Sequence, residues 1–199
     1  MPHAMPIRHA GRRRIARLCL IGLTGLIGLL AACFTAPLRA AETGPATLAF
    51  VGFELIDEQP DPARLPGLRE RLAAIDRQMA EGLAQRGLYQ VQDLGPAQPA
   101  LARTREQNEF LHRCNACLGE VGAAAGARLV GVGWVQRIGN LILNINLAIW
   151  DVSDPAGDRQ VLTKSVDIRG DNLESWRRGV AYMLRDMAER RERQPRYGL

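Results

Sequence analysis

The chain has 199 residues, 47% of them hydrophobic, which is enough for one ordinary domain with a buried core. Six of its 26 basic residues precede residue 41, where no acid occurs: Arg8, Arg12, Arg13, Arg14, Arg17 and Arg39. Removing those six leaves 20 Lys+Arg against 21 Asp+Glu, a net charge of −1. The pI near 9.5 is therefore no sign of a nucleic-acid partner, since no basic surface with interleaved aromatics remains.

The first forty residues, 1–40, predict a cleavable bacterial signal peptide. An arginine-rich segment is followed by an apolar run from Leu18 to Leu30 and then by the small residues Ala31 and Ala32. The run is at or below the length that crosses a bilayer, so a retained anchor is the less favoured interpretation. We therefore expect the mature chain outside the cytoplasm, in the periplasm or secreted.

Two processing routes fit the end of this segment. The residues Leu30-Ala31-Ala32-Cys33 have the form of a lipoprotein signal, in which Cys33 is acylated and becomes the new N-terminus. Alternatively, Leu38-Arg39-Ala40 precedes Ala41 as a site for ordinary signal peptidase. The first route gives an outer-membrane lipoprotein that touches the membrane only through its lipid. The second gives a freely diffusing protein.

Residues 41–191 predict a single α/β domain, followed by a charged, disordered tail at 192–199. In chain order, we expect a strand at 46–55, a helix from about Pro66 to a Gly87 cap, a strand at 88–94, helices at 101–112 and 114–125, strands at 128–136, 141–152 and 160–168, and a helix from about 171 to 191. The clearest signal is the alternation of side chains over 141–152. Asp171 and Glu174 resemble a capping box for the last helix.

The element order β-α-β-α-β-β-β-α predicts a mixed five-stranded sheet. The first three strands are joined by helices, so right-handed crossovers should make them parallel. The last two strands follow short turns and should extend the sheet as an antiparallel meander. The helices then pack on the sheet.

Two blocks carry a family resemblance: GARLVGVGWVQRIGNLILNINLAIWDV at 126–152 and DIRGDNLESWRRGVAYML at 167–184. They resemble a family of uncharacterised secreted bacterial proteins, a domain of unknown function. More distantly, the pattern is similar to the α/β domain of curli-secretion lipoproteins, the TolB N-terminal domain and lipoprotein activators of cell-wall synthases. The resemblance implies an envelope assembly or accessory role and carries over no catalytic residue.

Cys114 and Cys117 form the one short motif with chemical content. In an oxidising compartment, two thiols at this spacing close a disulfide. If Cys114 begins a helix, the helix N-terminus stabilises its thiolate, as in dithiol oxidoreductases. Three interpretations stay open: a structural disulfide, a redox pair, and a metal site with His112 for which no fourth ligand is identified.

No cofactor and no catalytic residue is predicted. Haem attachment requires a histidine where Leu118 stands. The sequence Gly131-Val132-Gly133 lies within a predicted strand and opens no helix, so it is not a nucleotide-binding loop. There is no GxSxG motif for a hydrolase.

Two sets of residues are candidates for a ligand or partner surface. Asn144, Asn146 and Trp150 share one face of the strand at 141–152, where the alternative is a solvated or helix-covered sheet face. Arg177 and Arg178 open the last helix, where the alternative is simple solvation.

These observations favour an exported accessory domain, periplasmic or membrane-tethered, which binds or assembles rather than catalyses. Its expected partner is an unknown envelope protein, and the sequence does not predict the oligomeric state. The alternative is a thiol–disulfide or metal-handling protein that uses Cys114 and Cys117.

Overall fold

The computed structural model describes residues 44–114, 116–139, 141–154 and 157–199. The expected signal peptide at 1–40 and its Cys33 lie outside these residues. The described elements are β1 (Thr47–Asp57), α1 (Leu65–Gln85), β2 (Gln90–Val91), α2 (Gln98–Gln107), a 3₁₀ turn (Leu111–Arg113), α3 (Gly119–Ala125), β3 (Leu129–Arg137), β4 (Ile142–Asp151), β5 (Arg159–Arg169) and α4 (Leu173–Arg193).

The strands form one five-stranded sheet in the order β2-β1-β3-β4-β5. Strand β1 pairs in parallel with both β2 and β3. Strands β4 and β5 continue the sheet as an antiparallel meander. The predicted α/β fold class, element order and mixed topology are confirmed.

The two faces of the sheet bury two separate apolar clusters. Helices α1 and α4 cover one face, with Met79 and Trp176 fully buried against Ile145 and its neighbours. Helix α2, the 3₁₀ turn and α3 cover part of the other face, where Leu118 and Trp150 belong to the second cluster. We call these the α1/α4 face and the α2/α3 face.

The two glycines of β3 make room for aromatic rings. A Cβ on Gly131 would lie 3.4 Å from the Phe50 ring, and one on Gly133 would overlap the Phe53 ring. These rings come from the neighbouring strand β1 and meet edge to face at 5.6 Å between centroids. Because Gly131 and Gly133 serve packing inside a strand, they form no phosphate-binding loop.

Strand β2 is much shorter than the predicted strand at 88–94. The N–H groups of Leu88 and Tyr89 both donate to the carbonyl of Leu83, so this backbone closes the C-terminus of α1 instead of pairing with β1. At the other end, the Asp93 carboxylate accepts the Gly95 N–H at 3.1 Å and turns the chain.

The start of α4 also differs from the prediction. Asn172, not Asp171, caps the helix, because its side-chain oxygen accepts the Ser175 N–H at 2.9 Å. The carboxylate of Asp171 is engaged elsewhere, with Arg137 at 3.0 Å and Arg71 at 3.3 Å. The prediction of a capping box formed by Asp171 and Glu174 is therefore wrong.

The chain end at 192–199, expected to be a disordered tail, packs on the domain. Helix α4 continues to Arg193. The buried hydroxyl of Tyr89 donates to the carbonyl of Gly198 at 2.8 Å, and Tyr197 packs against the α1/α4 cluster. The prediction of a disordered tail is therefore wrong, because an apolar contact and a buried hydrogen bond hold this charged segment on the domain.

Two side chains cover the outer edge of β1 where β2 has ended. The Phe53 N–H donates to the Asp76 carboxylate at 2.6 Å, and Arg105 donates to the carbonyl of Val51 at 3.0 Å. Both contacts flank Gly52, whose φ of +93° lies in the region that favours glycine. Burial raises the pKa of Asp76 to about 6, and the Phe53 N–H and the Arg105 charge oppose that rise.

We expect the substitution Asp76→Asn to stabilise the domain above pH 6 and to change little below pH 4. The raised pKa means that the folded protein holds the Asp76 proton more tightly than the unfolded chain does. The contribution of protonated Asp76 to the free energy of unfolding is therefore fully present below the ordinary pKa of 3.8 and is lost as the pH rises through about 6. The shift corresponds to about 3 kcal/mol at full burial. Because Asp76 is only partly buried, we expect urea unfolding to show that the variant gains about 1 kcal/mol in the free energy of unfolding above pH 6.

The matched control is Glu81→Gln, an exposed site on the same helix. Its unfolding free energy should follow the wild type at every pH. A D76N variant whose stability stays parallel to the wild type from pH 4 to pH 8 would show that Asp76 does not titrate in this range.

Candidate functional site

Cys114 and Cys117 form a disulfide, with their Cα atoms 5.9 Å apart. The bond closes a short loop in which Ala116 has a φ of +58°. The loop connects the 3₁₀ turn with α3, and Cys117 packs against the α2/α3 cluster. Directly after it, the buried Leu118 donates its N–H to Asp158 at 3.0 Å. The disulfide therefore joins two segments that are each packed on the sheet.

The helix expected to begin at Cys114 begins at Gly119 instead. Cys114 is extended, with its N–H bonded to the carbonyl of Leu111. It is thus not the first residue of a helix, and the thiolate stabilisation expected from a helix N-terminus does not operate on it. The positive φ of Ala116 is what interrupts a continuous helix from 114 to 125.

The three residues Asn144, Asn146 and Trp150 do share the α2/α3 face, but they differ in exposure. Trp150 is 8% exposed and belongs to the second apolar cluster, so it is covered and is no part of an open surface. Asn146 is also 8% exposed, and its amide donates to the Asn144 carbonyl at 3.4 Å. Only Asn144 remains half-open, and its amide donates to Asp167.

A cluster that sequence reasoning missed lies beside these residues. His112 stacks on Trp134 with 4.4 Å between the ring centroids, and its Nδ1 lies 3.0 Å from the Glu54 carboxylate. The same carboxylate accepts the Leu111 N–H at 2.8 Å. Glu54 and His112 are 58 positions apart in sequence, so no local pattern could have paired them. The cluster holds the 3₁₀ turn on the sheet.

The β3–β4 hairpin ends in an apolar tip, which we define as Ile138, Leu141 and Ile142. Their exposed fractions are 42%, 76% and 57%. The fourth exposed large hydrophobic residue of the described chain is Tyr182, on α4. Solvent exposure of three aliphatic side chains at one turn is unfavourable unless something covers them.

Arg177 and Arg178 lie on α4, across the sheet from Asn144, so the structure does not bring the two predicted sets together. The carbonyl of Arg177 accepts a bond from Gln78 at 3.0 Å. The guanidinium of Arg178 pairs with Glu174 at 3.1 Å and stays 70% exposed. Arg178 and Tyr182 line one wall of a groove of about 490 Å³, and residues 165–169 of β5 line the other.

Within the ranges that the structure describes, no group of three or more His, Cys, Asp or Glu side chains is placed to hold a metal ion. Over the same residues, no helix combines the length and apolar character needed to cross a bilayer.

The fold and these surfaces define a single α/β domain with a disulfide-closed loop. Residues 46–187 match the family DUF3280, described as "Protein of unknown function (DUF2380)", and the chain belongs to this family. The resemblance to a family of unknown function is confirmed. No curated protein matches the chain.

Solved structures similar to this chain include the LpoB C-terminal domain from Salmonella enterica, at 9% identity and a TM-score of 0.39, covering 63% of this chain and 83% of that one. Lipoprotein GNA1162 from Neisseria meningitidis has 15% identity and a TM-score of 0.42, with 73% and 99% covered. TolB from Acinetobacter baumannii has 14% identity and a TM-score of 0.42, with 76% and 30% covered. These likenesses carry no inference about what this chain binds.

We expect the Cys114–Cys117 bond to be structural. Replacing both residues by serine should lower the free energy of unfolding by about 2 kcal/mol, the loop-closure value for so short a loop, and leave the fold intact. Titration of the wild type against glutathione should give a potential below about −300 mV.

The control for this measurement is the single variant Cys114→Ser, which leaves Cys117 as a free thiol and should lose the same stability. A potential near −200 mV or above, with no stability change in the double variant, would favour a redox pair instead.

Proposed function

We propose that the chain is exported and that its domain is a non-enzymatic binding module, which contacts an envelope protein through the apolar tip of the β3–β4 hairpin. The observation that carries this proposal is the exposure of Ile138, Leu141 and Ile142 at one turn. Apolar side chains exposed together are typical of a surface that another protein covers.

The surroundings of the tip support a protein partner. Polar side chains border it on the α2/α3 face, where Gln136 donates to Glu58 at 2.8 Å and Asn144 donates to Asp167. An apolar centre with a polar border is the usual composition of a protein interface. Asn144, the half-open residue of the predicted surface, lies within this border.

The tip lies at the end of the sheet opposite the start of β1. Strand β1 starts beside the start of β3, since Leu48 pairs with Leu129, and the tip follows the end of β3. The length of β3 puts the tip about 30 Å from the start of β1. A partner can therefore cover the tip without contacting the residues at the start of β1.

The placement of the histidine supports a role without catalysis. His112 is the one histidine after residue 40. Its ring is stacked on Trp134 and bound to Glu54, and its exposed side-chain fraction is 8%. A side chain held in this way fastens the 3₁₀ turn and is poorly placed to exchange protons with a substrate.

We expect a photo-reactive residue at position 141 of the full chain, expressed in its own bacterium, to cross-link one discrete envelope protein. The same residue at position 86, exposed beyond the end of α1 at the opposite end of the sheet, should give no product. Substituting Ile138→Asp and Ile142→Asp together should abolish the product from position 141, because charge desolvation opposes apolar contact.

Ala73→Asp provides the matched control, since it places a charge at an exposed apolar residue of α1, outside the tip, and should leave the cross-link intact. The intact mass of the purified protein reports processing: an acylated chain beginning at Cys33 or a chain beginning at Ala41 both support export. An unprocessed chain in the cytoplasm, or equal cross-linking from positions 86 and 141, would refute the proposal.

A further inference from the structure

The exposed side of α4 beside β5 carries a regular charged stripe. Its residues recur at helical spacings of four, four, three, four and four, so they lie along one line of the helix. All of them are exposed. The members of this α4 stripe are Glu174, Arg178, Tyr182, Arg185, Glu189 and Arg193.

The stripe is complementary to itself when two copies run in opposite directions. An antiparallel copy centred between Tyr182 and Arg185 places Glu174 against Arg193 of the second copy. The same alignment places Arg178 against Glu189 of that copy. Tyr182 then meets Arg185, a ring–guanidinium pair that already forms within one chain at 5.3 Å. Every position therefore meets an attractive partner.

The outer edge of β5 is suited to the same pairing. The Gly170 N–H bonds to the Leu141 carbonyl, which fixes the alternation of hydrogen bonds between β4 and β5. By that alternation, Thr163, Ser165 and Asp167 direct their N–H and C=O groups away from β4. Backbone groups directed outward in this way can pair with another extended chain.

On the opposite side of the sheet, β1 extends beyond the short strand β2, and side chains cover its outer edge. There, Asp76 and Arg105 occupy the backbone groups of Phe53 and Val51. Side chains thus cover one edge, whereas the β5 edge borders an open groove with Arg178 and Tyr182 on its far wall. The contrast favours β5 as the edge that pairs with a partner.

The centre of the stripe and the centre of the strand coincide. A Cβ on Gly179 would lie 2.8 Å from Ile168 of β5 and 3.0 Å from Ile145 of β4, and Asp186 pairs with Lys164. Helix α4 therefore runs antiparallel to β5 and lies over both β5 and β4. The midpoint of the stripe therefore lies over Ser165. Ser165 is one of the outward-directed residues, so it can face its own copy across a two-fold axis, with Thr163 facing Asp167.

From these matches we infer that two copies of this chain form a two-fold dimer, in which β5 pairs with β5 and α4 packs antiparallel against α4. The added strand pair spaces the strands at about 4.8 Å. Helices lying slightly inward of each edge are then about 10 Å apart, a normal distance for packed helices. This surface is separate from the hairpin tip, so the dimer does not depend on the proposed function.

Sedimentation velocity of the mature chain, in detergent if it is acylated, tests the inference. The wild type should be a dimer, and Arg178→Glu or Glu189→Arg alone should raise its dissociation constant about tenfold, because each reversal affects two symmetry-related pairs. The double variant R178E/E189R should restore the wild-type value. Residues 178 and 189 are three turns apart, so they cannot compensate each other within one helix.

Arg177→Glu provides the matched control, with the same charge change one residue away from the stripe, and should not affect dimerisation. A Ser165→Cys variant should cross-link to its own copy on mild oxidation, whereas Arg177→Cys should not. A monomeric wild type at its highest soluble concentration would overturn the dimer. So would a dimer that Arg178→Glu leaves unchanged, or a double variant no tighter than the single ones.

Discussion

The arrangement of this domain depends on one buried cation, the guanidinium of Arg137. The side chain is fully buried, and a charge in that environment is tolerable only when it is well paired. Asp57 lies 2.7 Å from it, Asp171 lies 3.0 Å from it, and the carbonyl of Gln59 accepts a further bond at 3.2 Å. These partners come from the end of β1 and from the residue before the α4 cap. One side chain thus ties two strands and a helix together.

The position of Arg137 relates this network to both surfaces. Ile138, the first residue of the apolar tip, follows it directly, so the ion pairs hold the base of the hairpin in place. Asp171 directly precedes Asn172, which caps α4, so the same contacts fix where the charged stripe begins. Arg71 adds a contact from α1 at 3.3 Å from Asp171. The tip and the stripe are therefore oriented by a common network although they serve separate contacts.

The parts of the fold that could be predicted are those that produce a short-range pattern of apolar and polar residues in the sequence. The alternation over 141–152 predicts β4, because it reflects burial of one face of the strand, and the Gly87 cap predicts where α1 ends. The topology followed from short turns after β3 and helical connections before it.

The parts that could not be predicted depend on contacts between distant residues. The sequence predicts Asp171 as a cap because its ion pair with Arg137, 34 positions away, leaves no local signal. It predicts Trp150 on an open surface because the alternation of the strand does not report that residues of α2 and α3 share its buried cluster. The pairing of Glu54 with His112, 58 positions apart, leaves no local signal either.

Hydrogen exchange of an Asp171→Asn variant tests most directly whether one network holds both surfaces. The substitution keeps the acceptor oxygen and removes the charge that Arg137 requires. We expect amides of the hairpin at 137–139 and 141–142 and of the first turn of α4 to exchange faster together, while the β1–β3 core stays protected. Acceleration at the start of α4 alone, with the hairpin unchanged, would contradict it.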